Sequence, residues 1–337
     1  MNKLIRIDSL GSAAAHARLL KVDVGKKEFV TPTYFPAISR KKMGDPDDKF
    51  VGLLTSSGYP RLLISAYDYG SVRTAGQRKV VGRLSEYYRR ESIVMLDSGV
   101  FEAYWRDNPR WSFQRYRTSV RNIDSDFFFS FDILPTSRTN ADSLRKTTAR
   151  SISNSANITD RSQCIPIVHA NSAAQLVETA THIVRKDASR FASLAVSERE
   201  LGQTLSERGT SIVRLRQILD DQGGGLLHVL GCGNPPSMAV YVYCGADTFD
   251  SLDWATYACD PTRDVMVDIS HFELLECRCD VCRGLALDHS TLVFVHNLLF
   301  YQNYSLKLQT MIKQHTLEDY VQETTSKKFL NKLRKAA

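Results

Sequence analysis

The sequence predicts an α/β protein whose parallel sheet closes into a (β/α)₈ barrel of the TIM type. Two observations carry this: eight short apolar runs recur at fairly even spacing, and segments with helical periodicity lie between them. The runs are Phe29–Ile38, Arg61–Tyr67, Ser92–Gly99, Asp126–Ile133, Cys164–Ala170, Phe191–Ser197, Gly225–Gly231 and Asp247–Trp254. Several are nearly continuous in Val, Ile, Leu and Phe, as parallel strands covered on both faces require. The clear helical segments are Val80–Arg90, Trp111–Ile123, Ser172–Lys186, Thr210–Asp221 and Pro236–Cys244. In Asn234-Pro235-Pro236, either proline suits the first turn of a helix, where its missing N–H costs nothing. Alternation of strand and helix implies a parallel sheet. An open doubly wound sheet satisfies the same alternation; eight repeats favour closure.

After the eighth run the rhythm stops. Residues 1–258 read as the barrel, 259–300 as a cysteine-rich insertion, and 301–337 as a terminal helix with a basic tail. That tail carries Lys327, Lys328, Lys332, Arg334 and Lys335 and reads as a solvated, frayed terminus. With 43% hydrophobic and 24% charged residues the composition is that of a soluble globular protein. No window approaches a membrane-spanning length of apolar residues. The N-terminus lacks the apolar stretch and cleavage site of a secretion signal, so an intracellular, cytoplasmic protein is expected. A net charge of +7 and an isoelectric point near 9.0 favour a polyanionic partner, nucleic acid first.

Seven cysteines are present. Cys164, Cys232, Cys244 and Cys259 each sit in an apolar stretch and read as small core residues. The other three form Cys277-Arg-Cys279-Asp-Val-Cys282. Thiolates so spaced can wrap one tetrahedral zinc ion, and in a reducing compartment they are rarely disulfides. His271, His289 and His296 are candidates for the fourth ligand, and the last stands at the head of a helix. Three thiolates and one imidazole leave no open position, so the zinc is structural.

In a barrel, side chains at the C-terminal strand ends face the active site. The predicted strands put Asp97, Asp132, His169 and Asp250 there. Any one aspartate could be a helix cap; several on one rim are harder to explain so. Paired carboxylates around an anomeric carbon are the usual apparatus for glycosyl chemistry, one as nucleophile and one carrying the proton.

At this point the residues resemble a known family, the tRNA-guanine transglycosylase superfamily. The likeness runs through Thr31-Pro32-Thr33-Tyr34-Phe35-Pro36, Asp97-Ser98-Gly99-Val100-Phe101-Glu102 and Ser193-Leu194-Ala195-Val196-Ser197-Glu198. It continues in His228-Val-Leu-Gly231-Cys-Gly233-Asn-Pro235, Gly245-Ala-Asp247-Thr-Phe-Asp250, the three clustered cysteines and His296-Asn297-Leu298. The resemblance implies a pentosyltransferase in which Asp250 is the nucleophile on C1′ and Asp97 the general acid/base. It implies that Asp132 and Ser98 bind the base edge, that Phe101 stacks on the purine, and that Gly231 and the backbone of Leu194 and Ala195 complete the base site. It selects His296 as fourth zinc ligand beside Cys277, Cys279 and Cys282.

Departures are informative. The family's Gly-Gly is Gly99-Val100, its next glutamine is Glu102, and its Val-Gln-Gly is Val168-His169-Ala170. His169 is expected to replace that glutamine as donor to O6 of guanine. The basic Pro-Thr-Arg stretch by which bacterial members read an anticodon loop is replaced by Ser251-Leu-Asp253-Trp254-Ala255, and no archaeal-type RNA-binding domain is read after the zinc helix. The pattern is most like the DpdA-type enzymes, associated with bacterial modification islands and phages, which insert a 7-deazaguanine such as 7-cyano-7-deazaguanine into DNA. DNA is therefore the expected polymer and tRNA the alternative; a non-catalytic zinc-containing partner subunit is a further reading, opposed by the retained aspartates. A homodimer or partner proteins of a DNA-modification system, and no membrane, complete the expectation. Arg106, Arg110, Arg115 and Arg117, interleaved with Trp105, Trp111, Phe113 and Tyr116, are candidates for holding phosphates.

Overall fold

In the computed structural model, residues 5–12, 16–39, 47–70, 75–90, 92–135, 140–159, 163–186, 193–284 and 286–335 are described. Three strands, β1 (Ile5–Ser12), β2 (Arg18–Val24) and β3 (Lys27–Val30), form an antiparallel sheet. The barrel strands follow: β4 (Thr33–Ile38), β5 (Arg61–Ser65), β6 (Ile93–Asp97), β7 (Phe127–Phe129), β8 (Cys164–Ile165), β9 (Ile167–Val168), β10 (Leu194–Ser197), β11 (Leu227–Leu230) and β12 (Thr248–Ser251). Their order is β8-β7-β6-β5-β4-β12-β11-β10-β9, every pairing parallel.

The two ends of that order are one stretch of chain. Pro166 separates β8, which pairs with β7, from β9, which pairs with β10. Proline has no N–H for the ladder, so it falls where the strand changes partner. Its carbonyl still accepts from Ala195 N (2.8 Å), and Ser130 Oγ takes the N–H of Ile167 (2.9 Å). The ring is thus eight-fold, with the fifth run supplying both edges. The eight predicted runs coincide with it, except that Phe29–Ile38 is two strands, β3 and β4, and Phe191 and Ala192 lie outside the described residues.

Side chains alternate as the pleat dictates. Ile93, Met95, Phe127 and Phe129 join a cluster inside the barrel with Phe35, Leu63, Ile165, Ile167 and Ala195. Val94, Leu96 and Phe128 face the surrounding helices. The N-terminal sheet, which sequence periodicity did not reveal, sends Leu20, Val22, Val24 and Phe29 into the interior cluster and closes one end. Phe29 stands edge-on to Phe35 and Phe127, with ring centroids 5.8 and 6.2 Å away. Asp247, at the same end of β12, is fixed by Arg18 Nη2 (3.0 Å), Arg216 Nη1 (3.1 Å) and the amide of Leu227 (2.8 Å). That end of the barrel is thus sealed by the sheet, opposite the C-terminal strand ends.

The helices begin where the sequence places caps. Thr204 and Glu207 form a reciprocal capping box for Leu205–Asp220, and Asn234 caps Pro235–Tyr243, with proline in its first turn. Beyond the barrel, the strands Tyr257–Asp260 and Val265–Asp268 make a hairpin, and a helix runs from His289 to Lys313. His296 is therefore two turns inside this helix, not at its head. The helix lies against the barrel: Tyr301 stacks on Tyr34 (3.9 Å between centroids), and its hydroxyl donates to the Gly233 carbonyl (2.8 Å).

The basic tail is docked rather than frayed. Residues Lys327–Arg334 form an amphipathic helix that buries Leu330 and Leu333. A Cβ at Gly209 would come within 2.7 Å of Leu333, so the glycine is what lets the tail seat. Lys332 Nζ donates to Ser206 Oγ (2.9 Å). The lysines and arginine occupy the outer face of a packed helix. No helix among the described residues is long and apolar enough to cross a membrane.

Candidate active site and metal centre

Asp250 lies at the open end of β12 and is 7% exposed. Its Oδ1 accepts from His228 Nε2 (3.0 Å) and from the amide of Gly231 (3.3 Å). Gly231 has φ +76°, a conformation that costs other residues energy and here helps aim the amide at the carboxylate. His228 on β11 is fully buried against Phe129 and bonded through Nδ1 to Thr248 Oγ1 (2.9 Å). Holding a proton on Nε2 for Asp250, it orients that carboxylate. The sequence pattern includes His228, but its task emerges only from β11 and β12 lying side by side.

Asp97 ends β6, and its Oδ2 accepts from the amide of Gly99 (2.9 Å). Burial, then the charges of Glu102, Asp132 and Asp250, hold its carboxyl well above the usual carboxylate range. Gly99 is left-handed at φ +75°, and a Cβ there would meet Tyr67 at 2.4 Å. Glu102, one turn on, bonds Ser65 Oγ (3.3 Å); burial and the charge of Asp68 raise it to about 7. Asp132, in the loop after β7, accepts from Ser98 Oγ and from His169 Nε2 (3.2 Å). The three aspartates therefore share one electrostatic environment at the barrel mouth.

Away from the mouth, the ligand atoms of Cys277, Cys279, Cys282 and His296 all lie within 4.8 Å of one another. His296 Nδ1 is 3.6 and 3.5 Å from the sulfurs of Cys279 and Cys282, while Nε2 donates to the Cys259 carbonyl (2.8 Å). That bond leaves the Nδ1 lone pair for a metal, the usual way an outer partner fixes a ligating imidazole. The group can hold a metal such as zinc. His289 instead faces the Ile269 carbonyl (3.1 Å). Cys164, Cys232, Cys244 and Cys259 are buried, as expected. Asn297, beside His296, accepts from the Cys259 amide (2.9 Å) and donates to the Trp254 carbonyl (2.8 Å). The helix carrying His296 thereby clamps the segment that follows the Asp250 strand.

The sequence model of the queuine tRNA-ribosyltransferase family matches residues 13–329. The chain belongs to this family. The tRNA-guanine(15) transglycosylase of Pyrococcus abyssi is 21% identical over 327 residues, covering 91% of this chain and 54% of the relative. The tRNA-guanine(15) transglycosylase of Nanoarchaeum equitans is 29% identical over 101 residues, 28% of this chain and 24% of the relative. The chain spans about half the length of the first of these relatives.

In this chain Ser98 is bonded to Asp132, Gly231 to Asp250, and the charges of Asp132 and Asp250 act on Asp97; Phe101 lies on the short helix after Gly99 and is 39% exposed. At two expected base-site positions the polar groups already have partners within the protein. His169 has no free donor for O6, because both its ring nitrogens already face carboxylates, Asp132 and Glu200 (Nδ1 to Oε1, 2.6 Å). Leu194 and Ala195 begin β10, where their amides are bonded to the carbonyls of Leu226 and Pro166 (both 2.8 Å). Ala195 is level with Ile167, two residues below His169, so the rim of this strand is Ser197 and the turn Glu198–Glu200.

Arg106, Arg110 and Arg115 are exposed and Arg117 half-buried. The segment starts at the rim: Trp111 Nε1 donates to the Ser98 carbonyl (3.1 Å), and Phe101, Tyr104 and Trp105 are 39%, 66% and 51% exposed. Further along, Tyr116 turns inward and is fully buried.

Proposed function

We propose that the chain is a guanine transglycosylase that exchanges guanine in a nucleic acid for a 7-deazaguanine base. The observation that carries this reading is the pairing of Asp250, one oxygen fixed by His228 and Gly231, with Asp97, whose proton burial and neighbouring carboxylates retain. Asp250 Oδ2 attacks C1′ as the bond to guanine N9 breaks, and Asp97 gives its proton to the departing base. The incoming base returns a proton from its N9 to Asp97, N9 attacks C1′, and Asp250 is released. The glycosyl-aspartate keeps the sugar carbon activated between the two bases, so hydrolysis is avoided. Asp132 accepts the N1–H and amine of the base, and Phe101 covers its face.

DNA is the preferred polymer. Where bacterial members present a basic reading element, this chain has Trp254, fully buried with its indole donating to the Ala37 carbonyl (2.8 Å). Its indole is core rather than contact surface. The arginines and exposed aromatics beside Ser98 supply phosphate and stacking contacts instead, for a base that is flipped out or already single-stranded. The tRNA reading has its own support, since both relatives are named for tRNA. A labelled 7-deazaguanine supplied with DNA and tRNA in separate reactions decides between them. Incorporation into DNA, falling steeply with salt as counterions compete, is the expected result; incorporation into tRNA alone reverses the order.

Zinc is the proposed metal, held by Cys277, Cys279, Cys282 and His296 in a closed structural site. Metal analysis is expected to find about one equivalent per chain, lost in Cys279→Ser. Full occupancy in a folded Cys279→Ser protein would refute the ligand set.

A further inference from the structure

The turn after β10 contributes a group to the base site that the reaction above does not use. Glu200 Oε1 lies 2.6 Å from His169 Nδ1, and Glu200 Oε2 accepts from the amide of Ala170 (2.8 Å). The carboxylate thus grips two consecutive residues at the end of the fifth barrel run. Across the ring, His169 Nε2 meets Asp132 Oδ2 at 3.2 Å, and the other oxygen of Asp132 accepts from Ser98 Oγ. His169, Asp132 and Ser98 are 5%, 8% and 0% exposed, so solvent offers these groups little alternative.

A neutral imidazole has one N–H and one lone pair, so it can serve only one of two carboxylates. The lone pair on the other side would face a carboxylate oxygen in a nearly dry site, which is repulsive. We propose that Glu200 is a positioning residue that keeps His169 doubly protonated, so that the imidazolium holds Asp132 as an oriented anion for the donor edge of the base. This rests on the base-exchange reading of the site.

The electrostatics agree with the geometry. Burial works against a charged ring, yet the hydrogen bonds and charges of Asp132 and Glu200 prevail and raise His169 to about 10. Among the described residues, those two carboxylates are the ionisable groups bonded to the ring. Asp97 on β6 and Glu102 on the helix after it act on Asp132 from across the pocket. Glu198, in the same turn as Glu200, is engaged elsewhere, with Arg208 Nη1 (3.0 Å) and the Tyr241 hydroxyl (2.9 Å).

The consequence is a division of labour. Asp97 and Glu102 favour their protons, whereas an acceptor for the base N1–H and amine must be ionised. An imidazolium beside Asp132 alone among these acids separates the two protonation states within one pocket. It also explains how a histidine stands where the family has glutamine: its protons serve the acid that reads the base, not the base itself.

Glu200→Gln tests this, because the amide oxygen can still accept from Ala170 while the charge is gone. Nitrogen-15 NMR of the intact protein labelled in histidine reads the ring directly. In the parent, both His169 nitrogens are expected to remain protonated through pH 8.5; in Glu200→Gln, the ring should titrate at least one unit lower. In exchange assays, KM for the incoming base should rise on the order of tenfold above that titration, with a smaller change in kcat. His169→Gln, which cannot titrate, should show a raised KM without the new pH limb, and covers the case in which Glu200→Gln fails to fold. A parent ring that is neutral at pH 7, or a KM equally raised at every pH, overturns the proposal. The NMR result does not depend on turnover, so absence of any exchange in the parent would count against the proposed function and not against this assignment.

Discussion

Asp250→Asn is expected to lose base exchange by a factor on the order of 10³ or more, with the fold intact. The amide oxygen is isosteric with Oδ1 and can still accept from His228 Nε2 and Gly231 N, which are 3.0 and 3.3 Å from the native oxygen. What disappears is the anionic Oδ2. An amide is a poor nucleophile toward C1′, so the first bond is not made, and neither base nor polymer concentration can compensate. Thermal melting alongside the exchange assay checks it: an unchanged midpoint with lost activity is the expected pair of results. Residual exchange within tenfold of the parent would assign the attack to another group.

Glu102→Gln is expected to act through pH, and in opposite senses on stability and turnover. Burial, then the charge of Asp68, raise Glu102 to about 7, against the opposing bond from Ser65. The fold therefore favours the neutral acid. Its contribution to stability is complete below the ordinary carboxyl range near pH 4.5 and is lost as pH rises through about 7. Glutamine has the same shape and no charge, so the variant should match the parent at pH 4 and exceed it at pH 8 by about 3 kcal/mol. Denaturant unfolding at the two pH values measures this. Turnover moves the other way. The Glu102 charge is the largest electrostatic influence holding the proton on Asp97, and in the proposed reaction it is the neutral form of Asp97 that protonates departing guanine. Removing that charge should shift the alkaline fall of kcat to lower pH. An unmoved limb would separate Glu102 from the proton carrier.

The barrel was legible because its strands are buried on both faces, and a stretch such as Phe127–Phe129 has no other physical use. The Cys277, Cys279 and Cys282 cluster that could hold a metal was legible for a similar reason: three thiols within six residues point to a common partner. The N-terminal sheet was not, because β2 is a short half-buried alternation, Arg18–Val24, that proclaims itself only against the barrel end it seals. The tail misled because its charges dominate the pattern, while the burial of Leu330 and Leu333 depends on a glycine more than 100 residues earlier. His169 is the clearest case. Its place at the mouth followed from the strand rhythm, but its chemistry depends on Glu200, which belongs to the next strand and carries no signature of its own. Leu194 and Ala195 make a related point: a motif gives the residues of a strand but not which of their amides the ladder consumes.

The most direct measurement is trapping of the glycosyl-enzyme. The protein is incubated with guanine-containing DNA, and separately with tRNA, together with a slowly reacting 7-deazapurine, then run on a denaturing gel. A protein–nucleic acid adduct that survives denaturation in the parent and is absent from Asp250→Asn is the expected result. An adduct that persists in Asp250→Asn would contradict the assignment of the nucleophile and turn attention to Asp97.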